Sequence, residues 1–192
     1  GHGDNETLKE IYSPAILKQT FEHWKVIDYH QDLTVGPFVF RYRDAGHVLG
    51  SGMLELIYNN KKIVFTGDLG NSPSPLLRDT EPLANVDYLL MESVYGDRNH
   101  SARNERRFRL EATIEDNYKR KGTLVIPTFS LERSQELLFE IDQLVEDDRI
   151  PRMPIFFDSP LGIRLTKVYA KYTKYFNKLA QDRIGAGEDI FN

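Results

Sequence analysis

Up to Glu92 the apolar residues fall in short β-branched or aromatic runs, and beyond it they recur at helical spacing between brief all-apolar segments. Ser13 before Pro14 marks a helix start, Ser as N-cap and Pro in the first turn, and the helix is expected to reach about Trp24. Residues 26–29, 38–42, 53–58, 62–65 and 86–91 then read as strands, with Asn59-Asn60 as a tight hairpin turn. After Glu92 the pattern predicts a charged helix over 102–121 ended by Gly122, a buried strand at 123–127 and a helix over 131–146. A strand at 154–158 and a helix from Pro160 to about Phe176 follow. Leu137, Leu138, Ile141, Leu144 and Val145 form the apolar side of the second of these helices. The chain is thus α/β: a sheet-rich layer of mixed or antiparallel strands with a helix against it, followed by a βαβα order that predicts a doubly wound parallel sheet. The change of period sets the domain boundary near residues 93–101, dividing the chain into 1–92 and 93–192. No internal repeat or low-complexity segment interrupts it.

Composition narrows the class. With 192 residues, 40% of them hydrophobic and 11% aromatic, the chain is expected to fold as one large domain or parts of two. No apolar run approaches a membrane span and no signal peptide is visible, so the expectation is a cytoplasmic protein without a membrane partner. The absence of cysteine removes disulfides and thiolate metal sites, leaving imidazole and carboxylate as ligands. Only five histidines are available, and Gly1-His2-Gly3 resembles a residual tag or linker, which discounts His2. A net charge of −4 has the wrong sign for a non-specific nucleic-acid binder, but charge is segregated locally. Arg98, Arg103, Arg106, Arg107 and Arg109 cluster after Glu92. Arg164, Lys167, Lys171, Lys174 and Lys178 recur at spacings expected to put them on one helix face. Each set reads either as a solvated face or as an RNA contact.

Three Gly-punctuated segments each deliver one candidate functional group where an apolar run stops. His47 lies in Ala45-Gly46-His47-Val48-Leu49-Gly50-Ser51-Gly52, Asp68 in Phe65-Thr66-Gly67-Asp68-Leu69-Gly70, and Glu92 in Met91-Glu92-Ser93-Val94-Tyr95-Gly96-Asp97-Arg98. The hairpin at Asn59-Asn60 is expected to bring the His47 and Asp68 loops to one sheet edge, where a histidine and carboxylates suit a metal ion and an attacking water. The plainer readings are a loop histidine bonded to a carbonyl, an Asp turn and a helix-capping Glu. Glu92 is left with two functional alternatives, ligating a metal or orienting a proton-donating histidine.

Together these segments resemble the β-CASP ribonuclease branch of the metallo-β-lactamase superfamily, nucleases that process RNA. In that family a His in an A-G-H-x-L-G-S loop and an Asp in a T-G-D segment are metal ligands, and an E-S-x-Y-G-D-R segment carries the acidic residue that opens the β-CASP domain. Two downstream stretches add to the resemblance. Ile126-Pro127-Thr128-Phe129-Ser130-Leu131-Glu132-Arg133-Ser134-Gln135-Glu136 is similar to the family's P-x-F-x-x-x-R-x-Q-E junction, and Asp158-Ser159-Pro160-Leu161-Gly162 to its D-S-P-[LM]-[AG] junction. The five matches occur in order and cover nearly all of residues 26–192. A Glu at position 92 leans toward the RNA-processing members.

The resemblance implies a partial metallo-β-lactamase sheet layer in 1–92 and a partial β-CASP domain in 93–192. It implies a two-zinc phosphodiesterase in the intact parent, with His47 as a terminal ligand, Asp68 as the bridge and Glu92 holding the proton-donating histidine. Attack at phosphorus would be in line, leaving a 5′-phosphate and a 3′-hydroxyl. Single-stranded RNA would run between the domains, its phosphates held by helix N-termini at Ser130 and Ser159 and by Arg133. Arg133 reads equally as an ion pair with Glu136 or Glu132. The family's H-x-H-x-D-H cluster and two later histidines match nothing in the sequence, and His23, His30 and His100 read as surface or packing residues. The expectation is therefore an internal fragment with weak or no zinc binding and no hydrolysis in isolation. The alternative is a catalytically silent scaffold or RNA-binding subunit. A nucleotide-binding module on 123–192 is disfavoured, since it has no Gly-rich phosphate loop. Oligomeric state is open, a homodimer included.

Overall fold

The computed structural model describes residues 12–99 and 103–191, so Gly1-His2-Gly3 and His100 lie outside the described residues, as does the side chain of Arg103. Ser13 caps helix α1 (Pro14–Glu22) by accepting from the Ile16 amide at 3.3 Å. Five strands follow, β1 (Leu33–Val35), β2 (Phe38–Asp44), β3 (Gly52–Tyr58), β4 (Lys61–Phe65) and β5 (Tyr88–Leu90), side by side in that order. All neighbours are antiparallel except β4 and β5, which are parallel. Asn59 and Asn60, at φ 47° and 57°, supply the two left-handed residues that a two-residue hairpin between β3 and β4 requires. Glu55 on the central strand is buried, held between Arg41 at 3.6 Å, Arg43 at 3.4 Å and Lys62 at 3.4 Å.

Residues 26–29, expected as a strand, form none. His30 adopts φ 63° and turns the chain, and the sheet edge is taken by β1 instead. Downstream come α2 (Arg103–Lys119), α3 (Arg133–Glu146), α4 (Pro160–Tyr169) and α5 (Lys178–Gly185). The helix expected to run to Phe176 ends at Tyr169, and a short 3₁₀ turn over Thr173–Tyr175 leads into α5. The break lets Phe176 turn inward, where it is fully buried. The expected parallel sheet is absent from the described residues. Residues 123–127 and 154–158 run without ladder partners, leaving Val125 80% and Phe156 88% exposed.

Among the described residues three small apolar clusters hold the fold together. Ala45, Met53 and Val64 lie on the sheet, and Ile114, Ile141, Leu144 and Ile150 join α2 to α3. Leu76, Leu77, Phe139, Tyr169, Phe176, Ala180 and Ile190 join a loop after β4 to α3, α4 and α5. Helix α3 takes part in two clusters, which is why Phe139 is fully buried although it lies off the expected apolar side. No described helix is long and apolar enough to cross a membrane. Phe139→Ala is expected to cost about 3–5 kcal/mol in urea unfolding, whereas Phe156→Ala is expected to stay within about 0.5 kcal/mol.

Candidate active site

Topology alone places three loops on one rim. Strand β2 enters it at Asp44, residues 45–51 turn the chain back into β3, and β4 returns to the same rim at Phe65. Because β5 is parallel to β4, it also ends there, and Glu92 follows two residues past its last position. His47 Nε2 lies 3.9 Å from Asp68 Oδ2, the histidine half-buried and the aspartate exposed. Glu92 Oε1 accepts the Leu69 amide at 2.5 Å, one residue beyond Asp68, and the Glu92 amide donates to Thr66 Oγ1 at 3.2 Å. The expectation that the His47 and Asp68 loops share a rim thus matches the geometry, and Glu92 joins them there.

What presses the loops together is backbone, not side chain. The Gly70 amide donates to the Ala45 carbonyl at 2.9 Å, and a Cβ on Gly70 would sit 2.0 Å from the Gly46 oxygen. Gly46, at φ 62°, would in turn drive a Cβ to 2.7 Å from the Thr80 nitrogen. Asp44 fixes the turn by accepting the Gly46 amide at 2.8 Å, and burial pushes its carboxyl above the ordinary range. Ser51 Oγ accepts from both His47 and Val48 amides, and Thr80 Oγ1 donates to the Ala45 carbonyl. Asp44, Thr80 and Ser51 were missed in the sequence because their partners are backbone atoms, some of them far along the chain.

A cleft of about 210 Å³ opens beside His47, lined also by Asn71, Arg106, Arg133 and Glu136. Arg133 donates to Glu136 at 2.7 Å, the ion-pair alternative of the sequence reading. Ser130 and Ser159 do not line this cleft but meet each other, Oγ to Oγ, at 3.1 Å. Ser159 stands at the expected N-terminus of α4 and caps it by accepting from the Gly162 amide at 3.0 Å. Ser130 caps nothing: α3 begins at Arg133, and the Ser130 carbonyl accepts from Gln135. The basic stripe is likewise broken up. Arg164 and Lys167 lie on α4, Lys174 in the 3₁₀ turn and Lys178 on α5, because the helix expected to carry them all is interrupted. Arg107 ties α2 to α3 through Gln143 at 3.1 Å and Asp147 at 2.8 Å.

Residue 132 occupies the position just before α3, and it is a glutamate only 2% exposed. Tyr169 donates its hydroxyl hydrogen to Glu132 Oε2 and accepts the Leu49 amide at 3.1 Å, two residues beyond His47. Desolvation pushes the Glu132 carboxyl from an ordinary 4.5 up to about 7, the Tyr169 hydrogen bond pulling the other way.

Comparison with known proteins reports on the same segments. The β-CASP domain model matches residues 134–191. Ribonuclease TTHA0252 of Thermus thermophilus is 29% identical over 181 residues, 94% of this chain and 42% of the relative. Endoribonuclease YSH1 of Yarrowia lipolytica is 33% identical over 90% of this chain and 21% of the relative. The cleavage and polyadenylation specificity factor subunit 3 of Dictyostelium discoideum is 30% identical over 95% of this chain and 23% of the relative. The chain thus shares a β-CASP domain match and similarity to named ribonucleases with the β-CASP branch of the metallo-β-lactamase superfamily that its motifs resemble. It spans less than half the length of these β-CASP relatives.

That resemblance implies a metal, and the rim supplies part of a shell for one. Two donors on one zinc, each at about 2.0–2.2 Å, stand no farther apart than about 4.3 Å, and the 3.9 Å between His47 and Asp68 falls inside that limit. Among the described residues no third His, Cys, Asp or Glu joins them in a group able to hold a metal. The pair fits one edge of a shell and is two donors short of a closed tetrahedron.

Gly70→Ala is expected to lower stability by about 1–3 kcal/mol or more by forcing the two loops apart. Gly185→Ala, in helix α5 with nothing within 4 Å of its added methyl, is the control in the same thermal melts, expected to lose no stability and to gain up to about 1 kcal/mol from helix propensity. Glu132 also carries a pH signature. Its folded pKa lies above its unfolded one, so its share of stability is present below about 4.5 and is lost as pH rises through about 7. Glu132→Gln is therefore expected to flatten the decline of the melting temperature between about pH 5 and about pH 8.

Proposed function

We propose that this β-CASP chain carries one side of the active site of a zinc-dependent phosphodiesterase that hydrolyses single-stranded RNA. The observation that carries the reading is the approach of His47 to Asp68 on a rim that opens into the cleft of Arg133 and Arg106. The names of the relatives, ribonucleases of a bacterium and a yeast among them, support it. In this reading residues 1–92 belong to the metallo-β-lactamase segment and 93–192 to a partial β-CASP domain, in a cytoplasmic protein.

His47 is assigned as a terminal ligand and Asp68, with two carboxylate oxygens, as a bridge between two zinc ions. Bound there, zinc would acidify a coordinated water and offset phosphate charge. The protein's own residues do the positioning. Ser51 and Asp44 hold the His47 loop by its amides, and Gly46 and Gly70 set its distance from Asp68. Glu92 Oε1 is engaged by Leu69, and Oε2 is assigned to orient a proton-donating imidazole for the leaving oxygen. Arg133 and Arg106 line the cleft where the phosphodiester would lie, and in-line attack by water would leave a 5′-phosphate and a 3′-hydroxyl. Ser130 and Ser159, paired to each other, are assigned to hold a flanking phosphate through Ser159's helix N-terminus.

A second reading, a silent RNA-binding scaffold, draws on the described donor set being incomplete. The protein expressed from its complete reading frame separates the two. Cleavage of single-stranded RNA with zinc present is expected. His47→Ala and Asp68→Ala are each expected to lower it by at least the about 10–100-fold that loss of an outer-shell partner costs. RNA retention without cleavage and without bound zinc would favour the scaffold.

A further inference from the structure

We propose that Glu132 and Tyr169 form a positioning pair that clamps the His47 loop to helices α3 and α4. The pair spans the molecule: the Leu49 amide donates to the Tyr169 hydroxyl at 3.1 Å across 120 positions of sequence, and Tyr169 donates onward to Glu132. Both side chains are sealed from solvent, Tyr169 at 1% and Glu132 at 2% exposure. The Leu49 side chain packs against the cluster of Leu76, Phe139, Tyr169 and Phe176, so loop and helices meet through apolar contact as well as through the hydrogen bond.

Two features mark Glu132 as held for more than packing. Its backbone sits at φ 61°, ψ −61°, the centre of a tight turn closed by the Arg133 amide on the Leu131 carbonyl at 2.8 Å. That conformation is rare and strained for a residue with a side chain. Its Oε1 is buried with no hydrogen-bond partner among the described residues, a costly arrangement that an apolar side chain would avoid. What the strain and the buried carboxyl provide is an acceptor aimed at Tyr169, with the Leu49 amide also close enough to favour its charge. With that acceptor in place the tyrosine hydroxyl keeps its hydrogen turned away from Leu49 and its lone pair toward the Leu49 amide. The clamp therefore sets the height of the His47 imidazole over the cleft that Arg133, one residue from Glu132, also lines. For its effect on cleavage this inference rests on the nuclease reading; the clamp itself does not.

The test uses the protein from its complete reading frame, with amide hydrogen exchange at Leu49 and steady-state cleavage of a single-stranded RNA read side by side. In Tyr169→Phe, Leu49 exchange is expected to accelerate at least about tenfold and kcat to fall about tenfold, with KM within about twofold because no phosphate contact is removed. Glu132→Ala should reproduce both changes. Glu132→Gln, whose amide oxygen still accepts from Tyr169, should restore both toward wild type. Unchanged Leu49 exchange in Tyr169→Phe overturns the proposal, as does a Glu132→Gln variant no better than Glu132→Ala. A loosened Leu49 with unaltered kcat overturns the link to catalysis. If the wild-type protein cleaves nothing, the nuclease reading falls, and Leu49 exchange alone then decides the clamp.

Discussion

The amide of Gly70 reaches the carbonyl of Ala45 at 2.9 Å only because neither Gly46 nor Gly70 carries a side chain. That backbone contact sets the separation between the loop after β2 and the loop after β4, and with it the distance from His47 to Asp68. Hydrogen bonds accepted by Asp44 and Ser51 and donated by Thr80 then leave the two loops little freedom to slide. Side-chain chemistry at the rim is a consequence of this close approach. A histidine and an aspartate on loops only slightly farther apart would not meet across one metal ion.

The same loop is tied in two directions. Toward the sheet it is held through Gly70 and Thr80, and toward the helices through Leu49, Tyr169 and Glu132. The cleft beside His47 draws its walls from both sides, Asn71 from one and Arg133 with Glu136 from the other. A residue on the loop therefore senses the packing of α3 and α4 as directly as it senses the sheet. Helix α3 is well placed to transmit that packing, since its residues enter both the cluster on α2 and the cluster on α4 and α5.

How much was legible in advance varies by element in a consistent way. The start of α1 at Ser13-Pro14, the β3–β4 hairpin at Asn59-Asn60 and the cap of α4 at Ser159 were all readable, because each depends on residues within three or four positions of one another. His47 and Asp68 could be placed on one rim by counting through the hairpin, whereas Glu92 reaches it at the end of β5, whose parallel pairing with β4 no hairpin count supplies. The helical stripe of basic residues failed, because the helix expected to carry it breaks after Tyr169 so that Phe176 can be buried. Ser130 failed as a helix N-terminus because α3 begins at Arg133, with a buried Glu132 just before it. Residues 26–29 and the segments at 123–127 and 154–158 have strand-like composition but no ladder partner among the described residues, and composition cannot supply one.

The sequence by itself determined the turns, the caps and the order of the chemical groups, because backbone preferences at Gly, Asn, Pro and Ser act over a few bonds. Only the tertiary structure decided that His47 would stand 3.9 Å from Asp68, that Arg133 would line the cleft beside His47, and that Tyr169 would reach Leu49. Those outcomes depend on which distant surfaces pack together, and burial energy is a property of the assembled core, not of any short stretch of chain.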